Sequence, residues 1–179
     1  MLGILSAVTP FSIDLYLPAF PEIALDLNTS LARVAFSVST YFVGYAVGQL
    51  FYGPLLDRFG RKPPLYAGLV LYIFASIACM YSESIEQLML YRLIQALGGC
   101  VASVAATAMV KDFFPAHEAA KIFSLLMLVI STSPLLAPTL GTFIATAWGW
   151  EATFAALAIL VTLVLGLIFF CLPSGYMGN

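Results

Sequence analysis

The sequence predicts an all-helical membrane protein with six transmembrane helices, and three observations carry that expectation. Of its 179 residues, 62% are hydrophobic and only 9% charged, with a mean hydropathy of +1.02, whereas soluble globular chains carry roughly a quarter charged residues. Six apolar segments come close to the ~20 residues a helix needs to cross the hydrocarbon core. The breaks between them are short, and the basic residues crowd into two of them.

The spans are expected at about residues 2–20, 35–56, 64–81, 87–110, 119–145 and 152–172, all in one bundle over 1–179. "PEIALDLNTSLAR" (21–33) is polar and separates the first two, and "LDRFGRKPP" (56–64) is charged and carries a Pro pair. "SESIEQ" (82–87) is acidic, "KDFFPAHEAAK" (111–121) mixes both signs, and "WGWE" (148–151) is a short turn flanked by tryptophans. The opening run does not read as a cleavable signal peptide: no basic region precedes it, Asp14 interrupts it, and no small-residue cleavage pattern follows.

Orientation follows from lysine and arginine. With a cytoplasmic N-terminus, the 2–3 and 4–5 connectors hold Arg58, Arg61, Lys62, Lys111 and Lys121, against Arg33 alone outside. Both termini are therefore expected in the cytoplasm, with Trp148 and Trp150 at the outer interface. A net charge of −2 offers no surface for nucleic acid. Cys79, Cys100 and Cys171 are scattered in apolar runs and read as packing thiols rather than a disulfide framework. His117, the single histidine, reads as a solvated residue of the 4–5 loop, since no second ligand stands nearby for a metal. Phosphate-binding loops, nucleophile elbows and zinc-hydrolase motifs are missing, so no enzyme, cofactor or metal is expected.

The connector "GPLLDRFGRKP" (53–63) has more order than a basic anchor requires. Gly53 would let a helix approach closely, Gly60 would permit a tight turn, and Asp57 could cap a helix or pair with an arginine. The stretch resembles the G-x-L-x-D-r-x-G-R-K signature between spans two and three of the major facilitator superfamily. "LYRLIQALGG" (90–99) resembles the span-four R-x-x-Q-G-x-G pattern, with Ala96 in place of the first glycine. "SPLLAPTLGT" (133–142) is similar to the Pro/Gly-rich span-five motif of drug/proton antiporters, with Thr142 for the second glycine. "SIDLYLPAFP" (12–21) resembles span one of Bcr/CflA-type drug-resistance transporters; Gly149–Glu151, "GWE", departs from the usual G-W-R.

The resemblance implies one six-helix half of a major facilitator fold, its C-terminal half missing, whose parental function is proton-coupled efflux of small amphipathic drugs across the cytoplasmic (inner) membrane. It also implies a conformational latch at Gly53, Asp57, Arg58, Gly60, Arg61 and Lys62, and an antiporter helix motif at Pro134, Pro138 and Gly141. The expected partners are the lipid bilayer, protons, a small lipophilic or cationic substrate, and a second six-helix half. The alternative is a half-sized or truncated membrane protein without transport of its own, acting as an interaction partner or assembling with another half.

The residues add a mechanism. Ionisable groups within spans are costly and are functional candidates by default. Asp14 would lie about 9 Å and Arg92 roughly 7–8 Å below the same face, from a rise of 1.5 Å per residue. Opposite charges at similar depth could face one cavity, with Asp14 exchanging a proton as its surroundings alternate between water and enclosure. The competing reading has Arg92 reaching out to the interface and Asp14 capping a helix. Gln95, three residues on, can share the Arg92 face. Tyr16, Tyr41, Tyr45 and Tyr91 are candidate pocket aromatics for a lipophilic cation. Gly44 and Gly48, with Gly98, Ala102, Ala105 and Ala106, offer small faces for close helix packing. Pro134 and Pro138 remove two hydrogen bonds and should bend span five.

Overall fold

The computed structural model describes residues 1–172. Seven α-helices make six membrane-length passes: α1 (Leu2–Asp14) and α2 (Phe20–Asp26) together form the first, followed by α3 (Leu31–Phe59), α4 (Lys62–Met80), α5 (Ile85–Phe113), α6 (Ala116–Trp148) and α7 (Glu151–Cys171). The predicted six-span, all-helical class is what the chain adopts.

The helices outrun their apolar stretches, because a helix need not stop where the hydrocarbon does. α5, with 29 residues, is about 43 Å long, against about 30 Å of hydrocarbon. The connectors shrink accordingly. Between α3 and α4 only Gly60 and Arg61 remain, and Gly60 takes φ +80, a left-handed value that suits glycine. Phe114 and Pro115 alone separate α5 from α6, so His117 sits on the first turn of α6 rather than in a loop.

The first pass is also longer than expected and broken. After Asp14 the chain tightens into a 3₁₀ turn at Leu17–Ala19, then resumes as α2. Pro18 and Pro21 lack the N–H that an unbroken α-helix would use there. α2 keeps its polar-looking sequence helical by burying Ile23 and Ala24. Ser30 and Ser84 cap α3 and α5, accepting from the backbone N–H of Arg33 and Gln87.

α5 is the hub, packing against α3, α4 and α1; α4 also packs on α7, and α1 on α6. Small residues set these approaches. A Cβ on Gly44 would lie 2.5 Å from the Leu93 carbonyl oxygen, and one on Gly98 would lie 2.6 Å from that of Gly68. Gly141 faces the Leu15 carbonyl so closely that any Cβ would overlap it. Gly53 is a correction: a Cβ there meets nothing within 4 Å. It lines an open cavity instead of a helix contact. α6 is the least covered span and stays helical through both Pro134 and Pro138.

Trp150 is a second correction. Trp148 is exposed, but Trp150 is buried and donates from Nε1 to Asp26 Oδ2 at 2.7 Å, tying α7 to the end of α2. An indole with a carboxylate in reach gains more from that bond than from an interfacial berth. Cys79 and Cys100 are buried, while Cys171, at the end of α7, is exposed.

Candidate functional site

Arg92 is fully buried. Its guanidinium lies over the rings of Tyr16 and Tyr41, 4.3 Å from each centroid, with Phe154 at 5.7 Å. The helical i, i+3 spacing puts Gln95 on the same face. Arg92 Nη1 donates to Gln95 Oε1 at 2.6 Å, and Gln95 Nε2 donates to Ser76 Oγ at 2.8 Å. Nε and Nη2 are buried without a hydrogen bond among the described residues. The cation is held by π-faces and one amide. Cation–π contacts reach about 2 kcal/mol when desolvated, while removing a charge from water costs several kcal/mol even after relaxation. The cage offsets only part of that cost.

This arrangement excludes an Arg92 that reaches to the interface. Asp14 and Arg92 form no ion pair among the described residues. Asp14 is half-buried at the last turn of α1 and has no hydrogen bond or ion pair among the described residues. The depth arithmetic was one-dimensional. The side chain that α1 sends to Arg92 is Tyr16, two residues beyond Asp14 and across the helix break.

A second cluster forms where α3, α4 and α5 end. Arg61, 8% exposed, donates Nε to Asp112 Oδ2 at 2.9 Å and Nη1 to Asp57 Oδ1 at 2.8 Å. Asp112 hydrogen bonding, then Asp57, holds the guanidinium even more firmly charged than a free arginine, against the opposing pull of burial. Asp112 is as buried as Arg61, whereas Asp57 is 74% exposed on its side chain. The sequence reading did not single out Asp112 as a site residue; its signal was an acid at the end of span four, opposite a basic connector. Lys62 Nζ donates to the Leu172 carbonyl at 2.7 Å, closing the end of α7. Arg58 is exposed and stacks over Phe59.

Beside this cluster opens a cavity of about 720 Å³ between α1, α3, α5 and α6. Tyr45 lines it, and its hydroxyl shares a 2.7 Å hydrogen bond with Ser103. Of the four candidate aromatics, Tyr45 alone reaches this space. Tyr16 and Tyr41 spend their faces on Arg92, and Tyr91 packs against the core. Asp14 and Arg92 do not line it either. Of the antiporter-motif residues, Gly141 sets the α1–α6 approach, and the Pro138 carbonyl, next to it, accepts from Thr142 Oγ1 at 2.9 Å.

Comparison with known proteins gives a consistent picture. The sequence profile of the Major Facilitator Superfamily matches residues 2–177. The chain is 35% identical over 173 residues to the bicyclomycin resistance protein homolog of Haemophilus influenzae, covering 97% of this chain and 44% of that protein. It is 38% identical over 165 residues to the multidrug resistance protein MdtL of Escherichia coli K12, covering 92% and 42%. Among solved structures, the proton:xylose symporter XylE superposes with a TM-score of 0.83 at 20% identity, over 94% of this chain and 43% of that one. The partially occluded inward-open form of XylE from E. coli gives 0.82 at 19% identity, over 97% and 48%. At that identity the likeness is one of fold. The chain spans less than half the length of each of these relatives.

Proposed function

The chain belongs to the major facilitator superfamily, and on that premise we propose that it is the N-terminal half of a proton-coupled exporter of small amphipathic drugs. The observation that carries the reading is the cavity of about 720 Å³ between membrane-length helices, ending at the Asp57–Arg61–Asp112 cluster, in a chain whose relatives are named for drug resistance. A second six-helix half would supply the far wall. Support comes from α3 and α6, which leave Phe42, Phe51, Leu135 and Phe143 uncovered along their lengths.

In this reading the Arg61 cluster is the hinge side of the latch. Arg61 fixes the ends of α3 and α5 to each other, and the exposed Asp57 is left to engage the opposite half. Asp14, a membrane carboxylate without a partner among the described residues, is the proton carrier. Arg92 and Gln95 hold Tyr16, and with it the broken part of the first pass, in one position. Because Asp14 precedes that break, its exposure can change as the break flexes. Five of the chain's seven basic residues, Arg58, Arg61, Lys62, Lys111 and Lys121, lie on the two connectors at the Arg61 end or on the helix ends that flank them. That bias supports a cytoplasmic position for this end and for both termini, in a bacterial inner membrane.

The test is resistance. The full-length transporter carrying these six spans, produced in an efflux-deficient bacterium, should raise the inhibitory concentration of bicyclomycin, the first compound to try. Asp14→Asn should abolish the rise at equal protein level. Unchanged resistance with wild-type protein in the membrane would instead favour a chain that only assembles with other membrane proteins.

A further inference from the structure

We propose that the cavity selects uncharged, hydrogen-bonding amphipaths and rejects permanent cations, a substrate class that rests on the export reading above. The residues that line the space favour neutral solutes. Its charged groups all sit at one end, and both carboxylates there, Asp57 and Asp112, already bind Arg61. The other charge on the lining, Lys111, is exposed and has no ion pair among the described residues. The charges on the lining balance, Arg61 and Lys111 against Asp57 and Asp112, and each carboxylate already has a cationic partner.

Deeper in, the polar groups are neutral. The Tyr45 and Ser103 hydroxyls bond each other at 2.7 Å. Gln49 is exposed on the cavity lining, and its amide has no hydrogen bond among the described residues. A carboxamide offers two donors and an acceptor, which suits hydroxyl, amide or carbonyl groups of a solute. It cannot neutralise a cation, and a charge brought there would lose water without gaining a counter-ion. Across from these groups stand Leu126, Met127 and Ile130 of α6, an apolar wall for a hydrocarbon body, with a methionine that adapts to shape. The volume, about 720 Å³, falls within the range of about 300–1,000 Å³ usual for small-molecule sites. Asp14, the remaining candidate counter-ion in the spans, does not line the space.

A matched pair of probes isolates the charge. Both carry the same 7-diethylaminocoumarin body; one ends in a hydroxyethylamide, the other in a trimethylammonium. The full-length transporter is reconstituted into vesicles with an imposed proton gradient, and binding is followed in parallel by fluorescence anisotropy on the purified protein. The neutral probe is expected to bind at least tenfold more tightly and to be the one transported. Gln49→Leu should weaken its binding about threefold to tenfold, the scale of one hydrogen bond, and Gln49→Glu should bring the cation to within a few-fold of the neutral probe.

Equal or tighter binding of the cation to the wild type would overturn the substrate class while leaving export intact. Gln49-dependent binding of the neutral probe without transport would uphold the site and overturn export. Binding of neither probe would overturn the site.

Discussion

The guanidinium carbon of Arg92 lies 4.3 Å from the ring centroid of Tyr41, deep in the bundle and away from any carboxylate among the described residues. Tyr16 holds the other 4.3 Å contact. Tyr41→Phe should keep the fold, because the Tyr41 hydroxyl makes no hydrogen bond among the described residues. Tyr41→Leu removes the π-face and should destabilise the bundle by about 2–4 kcal/mol, combining the cation–π loss with a cavity. Thermal unfolding in detergent separates the two variants.

A buried cation with two nitrogens unsatisfied among the described residues is a poor stabiliser. Arg92→Met together with Gln95→Leu should therefore leave thermal stability unchanged or raised, while resistance is lost. A marked fall in stability would show that the cage supports the fold, and the functional role assigned to Arg92 would lose its main argument.

Within the Arg61 cluster, the two acids that share Arg61 should not be equal. Asp112→Asn weakens a charge-assisted bond between two largely buried groups and should cost about 1.5–3 kcal/mol. Asp57→Asn, on an acid 74% exposed, should cost under about 1 kcal/mol. The same pair should reverse order in transport if Asp57 engages the opposite half. Unfolding midpoints and inhibitory concentrations, taken on the same two variants, test both statements.

The glycines make a third contrast. Gly141→Ala must push α1 away from α6, because its Cβ would overlap the Leu15 carbonyl, and folded yield should fall. Gly53→Ala meets open space and should leave the six-helix unit as stable as before. Size-exclusion profiles of the two variants decide the matter.

Trp148 and Trp150 differ by burial, not by sequence context. In Trp148→Phe the remaining Trp150 should resist quenching by brominated lipid, and in Trp150→Phe the exposed Trp148 should be quenched readily. The loss of the Asp26 bond in Trp150→Phe should also lower stability by about 1–2 kcal/mol.

Much of the bundle was legible from order and spacing. Hydropathy marked six spans because lipid tolerates few charged side chains there. The Gly60 turn followed from glycine's freedom at positive φ, and the Arg92–Gln95 bond from the pitch of a helix, which any i, i+3 pair shares. Asp112 was less visible, since nothing in "MVKDFF" says which basic residue it meets; that depends on α4 and α5 ending side by side.

Composition, the charge bias and local spacing thus determined the class, the number of passes and the residues worth watching. Each of these depends on the solvent and on neighbours within about one helical turn. Only the tertiary structure decided that Arg92 answers to Tyr16 and Tyr41 instead of Asp14, that Gly53 faces a void, and that Trp150 binds Asp26. Those outcomes turn on the rotation of each helix about its axis and on the break at Leu17–Ala19, which aim side chains sideways. Depth along a span can be counted from a sequence, but azimuth is set by how the helices pack.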